Sequence, residues 1–189
     1  FRKAEILIKS DLIGEAREAA SKGLELDPES LSGQMLLIET MEPEEVLPIF
    51  EELISKFPVS LSLRHLLASK LSDVEPIKSL GLLEENTWDE LILKVKCYRS
   101  LSDYKNALEC AIEATSLKPD SVDSWLAAGW SAFDMGALDQ SNDFFDAAIG
   151  CDIQCSDALF GKALVLEKLG MDNTIYNNAL SEIDPKLVP

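Results

Sequence analysis

The apolar positions of this chain recur with the spacing of an amphipathic helix, and in its second half that spacing returns as a block. Leu91, Val95 and Tyr98, then Trp125, Ala128, Gly129 and Ala132, follow the i, i+3, i+4, i+7 pattern that lines one helical face. Tyr104, Ala107, Leu108, Ala111, Ala114 and Leu117 carry the pattern through a second stretch that stops at Lys118-Pro119-Asp120. That stop has a mechanism. The cation favours the free carbonyls of the last turn, and proline pushes the residue before it out of helical conformation. The predicted unit is a pair of helices joined by a short turn.

Aligning Trp88, Val122 and Ser156 as first positions, about 34 residues apart, brings like residues into columns. The eighth position reads Val95, Gly129, Ala163, and the eleventh reads Tyr98, Ala132, Leu166. A turn position reads Ser102, Gly136, Gly170. The twentieth reads Ala107, Ser141, Ile175, and the twenty-fourth reads Ala111, Phe145, Ala179. Small or apolar residues recur where two helices must approach closely, and glycine recurs where the first helix must end.

Toward the N-terminus Ala4 and Leu7 fit a first helix, and Ala16, Ala20, Gly23 and Leu26-Asp27-Pro28 a second. The block from Pro28 to Pro58 is shorter than the period, although Leu37, Ile38, Phe50, Leu53 and Pro58 keep their roles, with Met41-Glu42-Pro43-Glu44 expected as the loop between helices. Ser60 to Asn86 reads as a shorter hairpin carrying Leu63, Leu66, Leu67 and Leu71, then Ile77, Leu80 and Leu83. The expectation is a single array over 1–189 of about six units, near 1–29, 30–58, 59–86, 87–120, 121–154 and 155–189. The first unit lacks the start of its leading helix and no amphipathic cap follows the last. A stack of hairpins needs polar ends, so a longer parent protein or self-association is expected.

This pattern resembles the tetratricopeptide repeat, which has Trp, Leu-Gly and Tyr on its first helix and Ala, Phe, Ala and Pro on its second. Trp125, Ala128-Gly129, Ser141, Phe145 and Ala148 match one copy; Tyr98, Ala107, Ala114 and Pro119 match the copy before it. The resemblance implies an all-α fold, a right-handed superhelical solenoid of antiparallel helix hairpins. It also implies a concave wall built from the second, fifth, ninth, twelfth and thirteenth residues of each first helix. In this chain those are Asp89, Ile92, Lys96, Arg99 and Ser100; then Asp123, Leu126, Trp130, Phe133 and Asp134; then Asp157, Phe160, Leu164, Glu167 and Lys168. The candidate partner-binding residues are Asp89, Ile92, Lys96, Arg99, Asp123, Leu126, Trp130, Phe133, Asp157 and Phe160.

Within that set Trp130 and Phe133 stand out as groove aromatics, the residue type that most often anchors binding. Asp89, Asp123 and Asp157 recur one unit apart and would form an acidic row. A protein or peptide with an apolar anchor and flanking Lys or Arg would match both. Packing of Trp130 against a neighbouring unit, or against a helix lying in the groove, is the competing expectation. Some members of the family clamp an acidic chaperone C-terminus through Lys and Asn at the fifth and ninth positions. Here those positions hold Phe1 and Glu5, Ile92 and Lys96, Leu126 and Trp130, and Phe160 and Leu164, so that clamp is absent.

Composition narrows the function. Apolar residues make up 47% and charged residues 27%, as in ordinary folded proteins, and nine glycines with eight prolines leave little room for the turns of an all-β fold. No apolar run reaches the length of a membrane span and no secretory segment is evident, so a cytoplasmic protein is expected. A net charge of −17 argues against nucleic acid or an anionic membrane as direct partner and suits a basic protein, though it serves solubility equally. Cys97, Cys110, Cys151 and Cys155 are expected as free thiols. Cys151 and Cys155 lack a second pair or a nearby histidine to complete a metal site. The single histidine, His65, has no nucleophile in a recognisable context, and no phosphate loop or dinucleotide motif occurs.

The sequence therefore predicts a binding scaffold or adaptor with no cofactor and no catalytic residue. A carrier of a basic client and the repeat arm of a larger enzyme are the alternatives.

Overall fold

The computed structural model describes residues 1–183 and residue 186; the last residues of the expected final hairpin, Asp184, Pro185 and 187–189, lie outside the described residues. The described chain is helical, and it divides into two compact units, Phe1–Glu84 and Glu85–Pro189. In the first unit α1 (Arg2–Lys9) pairs with α2 (Ile13–Leu26). There follow α3 (Leu31–Glu39), α4 (Pro43–Val46), a 3-10 turn (Leu47–Ile49), α5 (Phe50–Lys56), α6 (Leu61–Leu71) and α7 (Pro76–Leu80). The second unit holds three hairpins: α8 (Trp88–Ser100) with α9 (Tyr104–Leu117), α10 (Val122–Met135) with α11 (Leu138–Cys151), and α12 (Ser156–Leu169) with α13 (Thr174–Ile183).

Local chemistry sets these boundaries. Ser30, Ser60, Thr87 and Ser121 precede α3, α6, α8 and α10, and each side chain accepts a hydrogen bond from the third backbone N–H beyond it. At the turn within a hairpin the chain enters the left-handed region. Gly136 has φ +83° and Gly170 φ +69°, and Ser102 and Asp11 take φ +58° at the equivalent points. Glycine adopts that conformation without a Cβ clash, whereas Ser102 and Asp11 adopt it at some cost.

Alanines let the helices approach. Ala107 and Ala111 of α9 face Val95 of α8 and Ala128 and Ala132 of α10 in one buried cluster, closed at its edge by Tyr98, Cys110 and Phe144. Phe145, fully buried on α11, fills the space between Gly129 of α10 and Gly161 of α12. In α1–α3 the Phe1 ring lies in the same way against Gly23 and Gly33.

One buried hydrogen bond recurs. Ser141 donates to the eighth-position carbonyl of α10, Gly129 O, at 2.9 Å, and Ser79 donates to Ala68 O of α6 at 2.7 Å. In the last hairpin Asn173 performs the task, its Nδ2 donating to Ala163 O at 3.2 Å. This substitution explains a departure from the column pattern. Ile175 was expected in the small buried column with Ala107 and Ser141, yet it is 77% exposed, and Leu180, Tyr176 and Ala179 of α13 pack inward instead.

Three other expectations shift. Pro43 and Glu44 open α4 rather than forming loop, because proline suits the first helical position and Glu42 and Glu45 make a reciprocal capping box there. The second helix of that hairpin breaks at Leu47–Ile49, where Pro48 has no N–H to give. Leu117 and Ile77 are exposed, and Leu82 and Leu83 beyond α7 supply the buried side chains of the short hairpin.

Candidate functional site: a cavity on α8, α10 and α12

In the second unit one face of α8 carries Ile92, Lys96, Arg99 and Ser100, and one face of α10 carries Leu126, Trp130 and Asp134. Steps of three or four residues hold each set on one side of its helix. With Asp157 from the first turn of α12 they line a cavity of about 520 Å³, whose lining is completed by Val95, Ala127 and Tyr104 of α9. That volume lies within the usual range for ligand pockets.

Trp130 is the best-fixed wall residue. Its ring meets Phe145 edge-on at 5.1 Å between centroids and Phe133 edge-on at 5.8 Å, and lies tilted against Phe160 at 6.1 Å. Contacts of this geometry hold an aromatic in one orientation. The half-buried indole therefore belongs to the core on one side and to the cavity on the other. The competing expectation of packing on a neighbouring unit is met by the contact with Phe160 of α12, and Trp130 also lines the cavity.

Of the other candidates, Ile92, Lys96, Arg99, Leu126 and Asp157 are brought together at the cavity. Phe133 and Phe160 are not among its lining residues. Phe133 lies under the Lys168 ammonium, 5.2 Å from its ring centre, and Phe160 packs against the Leu159, Ala163 and Leu180 cluster. Asp89 and Asp123 stand in the first turns of α8 and α10, where the helix dipole favours a carboxylate. Val95, Ala127 and Tyr104 line the cavity without having been expected there. Val95 and Ala127 also contribute to the core cluster, and Tyr104 opens a second helix, so nothing in their spacing marked them.

The polar rim is arranged around one ion pair. Arg99 Nε donates to Asp134 Oδ2 at 2.8 Å and Nη2 lies 2.8 Å from the same oxygen, an ion pair that joins α8 to α10 beside the cavity. Ser100 donates to Lys96 O at 3.1 Å.

The cysteines offer no nucleophile at this site: Cys97 is buried, and burial pushes the Cys110 thiol above its usual range. Among the described residues no three His, Cys, Asp or Glu side chains group as a metal site, and no helix is long and apolar enough to cross a membrane.

Residues 91–121, from α8 through the turn after α9, match the tetratricopeptide repeat family. The chain has the tetratricopeptide-repeat fold. It is similar over 97% of its length to PilW, described as a widely conserved type IV pilus biogenesis factor, covering 91% of that chain with 13% identity and a TM-score of 0.79. It is similar to a thermophilic tetratricopeptide-repeat protein of Thermus thermophilus, with 14% identity, a TM-score of 0.60, 76% of this chain and 84% of that one. Cut9–Hcn1, an APC/C hetero-tetramer, shares 14% identity with a TM-score of 0.71, over 95% of this chain and 38% of that one. At such identities the likeness is one of fold. No curated protein matches the chain. Tetratricopeptide-repeat folds serve in general as protein–protein interaction scaffolds.

Proposed function

We propose that this protein binds a peptide or helix of a partner protein in the α8–α10–α12 cavity, acting as an adaptor and not as an enzyme. The observation that carries the reading is the Trp130 ring, held edge-on by Phe145, beside Ile92 and Leu126 in the cavity lining. A rigid aromatic in a concave site loses little entropy on binding and is the usual centre of an interface. The net charge of −17 supports a partner that is basic overall. The four thiols, none in a disulfide, support a reducing compartment such as the cytoplasm.

The test uses Leu126, because replacing Trp130 would also unseat Phe145. Peptides selected from a random display library on the wild-type protein are measured against Leu126→Arg. Weakening by tenfold or more, about 1.4 kcal/mol, is expected, with the circular dichroism unchanged. Peptides that bind the variant as tightly as the wild type would overturn the cavity as the site. A carrier of a strongly basic client, the second reading that the charge favours, would instead show affinity falling steeply with salt and indifferent to Leu126.

A further inference from the structure

The cavity is electrically lopsided along its length. Asp157 lines it from the first turn of α12. Lys96 and Arg99 line it from the last two turns of α8. The apolar surface of Ile92, Leu126 and Trp130 lies between. First helices of successive hairpins run the same way when short turns join them. Asp157 therefore stands about eleven residues' rise, about 16 Å, from the level of Ser100 and Asp134, the span of about five residues of extended chain.

Resting on the reading above, we propose that the cavity selects the direction and charge order of its ligand. It takes a segment with a Lys or Arg at the Asp157 end, an apolar residue over Trp130, and an Asp or Glu at the Arg99 end. The reason is desolvation. A segment covering the cavity strips water from Asp157, and a charge so covered must be given a counter-charge or its loss of hydration opposes binding. Asp157 stands in the first turn of α12, where the helix dipole suits a carboxylate, and the counter-charge a carboxylate calls for is a cation. Toward the other end Asp134 Oδ2 accepts the Nε–H of Arg99 and lies 2.8 Å from Nη2, which orients the guanidinium plane. The remaining N–H groups present a fork suited to a second carboxylate.

The partner class is thus a mixed-charge segment of a protein, not a uniformly basic one. The acidic carboxylate at the Arg99 end does not displace Asp134; it joins it on the other edge of the guanidinium.

The experiment takes peptides selected on the wild-type protein from a random dodecapeptide display library, dye-labelled and titrated by fluorescence anisotropy. Asp157→Asn and Arg99→Gln should each weaken binding about tenfold. Changing the peptide's Lys or Arg to Gln should weaken binding to the wild type but scarcely matter further with Asp157→Asn, a coupling that a general change in stability would not produce. Exchanging the peptide's basic and acidic residues should abolish binding. Peptides that lose affinity with Leu126→Arg yet ignore both charge variants, or that tolerate the exchange, would overturn the charge order while leaving the cavity reading intact. Indifference to Leu126→Arg would overturn both.

Discussion

The Phe145 ring lies so close to the backbone of Gly161 that a Cβ built there would stand 2.3 Å from its Cζ and 2.4 Å from its Cε1. On the other side, a Cβ at Gly129 would meet Phe145 Cε1 at 2.7 Å. The ring cannot retreat, because it is fully buried and Trp130 packs edge-on against it. Two effects oppose each other in a Gly161→Ala variant. Alanine is the better helix former by about 1 kcal/mol, whereas overpacking a filled core costs roughly 1–3 kcal/mol. At these distances the clash wins. Gly161→Ala should lower stability in urea by about 1–2 kcal/mol, and Gly129→Ala by somewhat less. Gly150 has nothing within 4 Å of the added methyl, so Gly150→Ala should stabilise by about 0.5 kcal/mol. Equal effects at the three positions would contradict the packing described.

The same pair shows how far the sequence could be read. Gly129 and Phe145 stand in recurring columns, and the columns rightly indicated close helix approach. Ser102, Gly136 and Gly170 likewise marked the left-handed turn. What recurrence could not reveal was substitution of one device for another. Asn173 satisfies the carbonyl that Ser141 satisfies elsewhere, and this frees Ile175 to face solvent. In the candidate site, the wall positions that the resemblance implies grouped Ile92, Lys96 and Arg99, and Leu126 with Trp130, and steps of three or four residues keep each set on one helix face. Spacing could not tell equivalence from convergence. Asp89, Asp123 and Asp157 are equivalent by position, but of the three the cavity is lined by Asp157. The cover that Lys168 places over Phe133 joins two hairpins and has no signature within either.

Lys162 of α12 gives a second stability test. Its ammonium lies 2.5 Å from Asp146 Oδ2, 3.4 Å from Asn142 O and 5.8 Å from the Tyr176 ring centre, and its side chain is 5% exposed against 51% for Asp146. Removing the carboxylate leaves a cation in a site that water hardly reaches. Asp146→Asn should therefore cost about 1–3 kcal/mol, below the full penalty for a buried pair because Asp146 itself is half in solvent. Lys162→Met in that background should recover most of the loss, since an apolar chain of similar volume then fills the site. Thermal or urea unfolding of the two variants decides it. A double variant no more stable than Asp146→Asn alone would show that the ion pair is not what couples α11 to α12 here.

The loop between α3 and α4 links stability to pH. Arg17 of α2 donates to Glu45 through Nη1 at 2.9 Å and Nη2 at 2.7 Å, and also to Thr40 O, while Glu42 N donates to Glu45 Oε2 at 2.8 Å. From the other side Lys70 Nζ donates to Glu39 O at 3.0 Å and Met41 O at 2.8 Å. The Arg17 guanidinium, and then the Glu42 N–H, hold the Glu45 carboxyl below its ordinary range. A carboxyl whose value is lowered on folding binds its proton more readily in the unfolded chain. Its contribution to stability is therefore present at neutral pH and disappears as pH falls through the lowered value. Because the pair is exposed, the size of this contribution is small and sensitive to salt. Arg17→Met should flatten the dependence of melting temperature on pH between about pH 6 and about pH 3, and Glu45→Gln should flatten it in the same way. Combining the two substitutions should add nothing to the flattening. Additive effects would mean that Glu45 owes its shift to groups other than Arg17, and that the loop is held chiefly by Lys70.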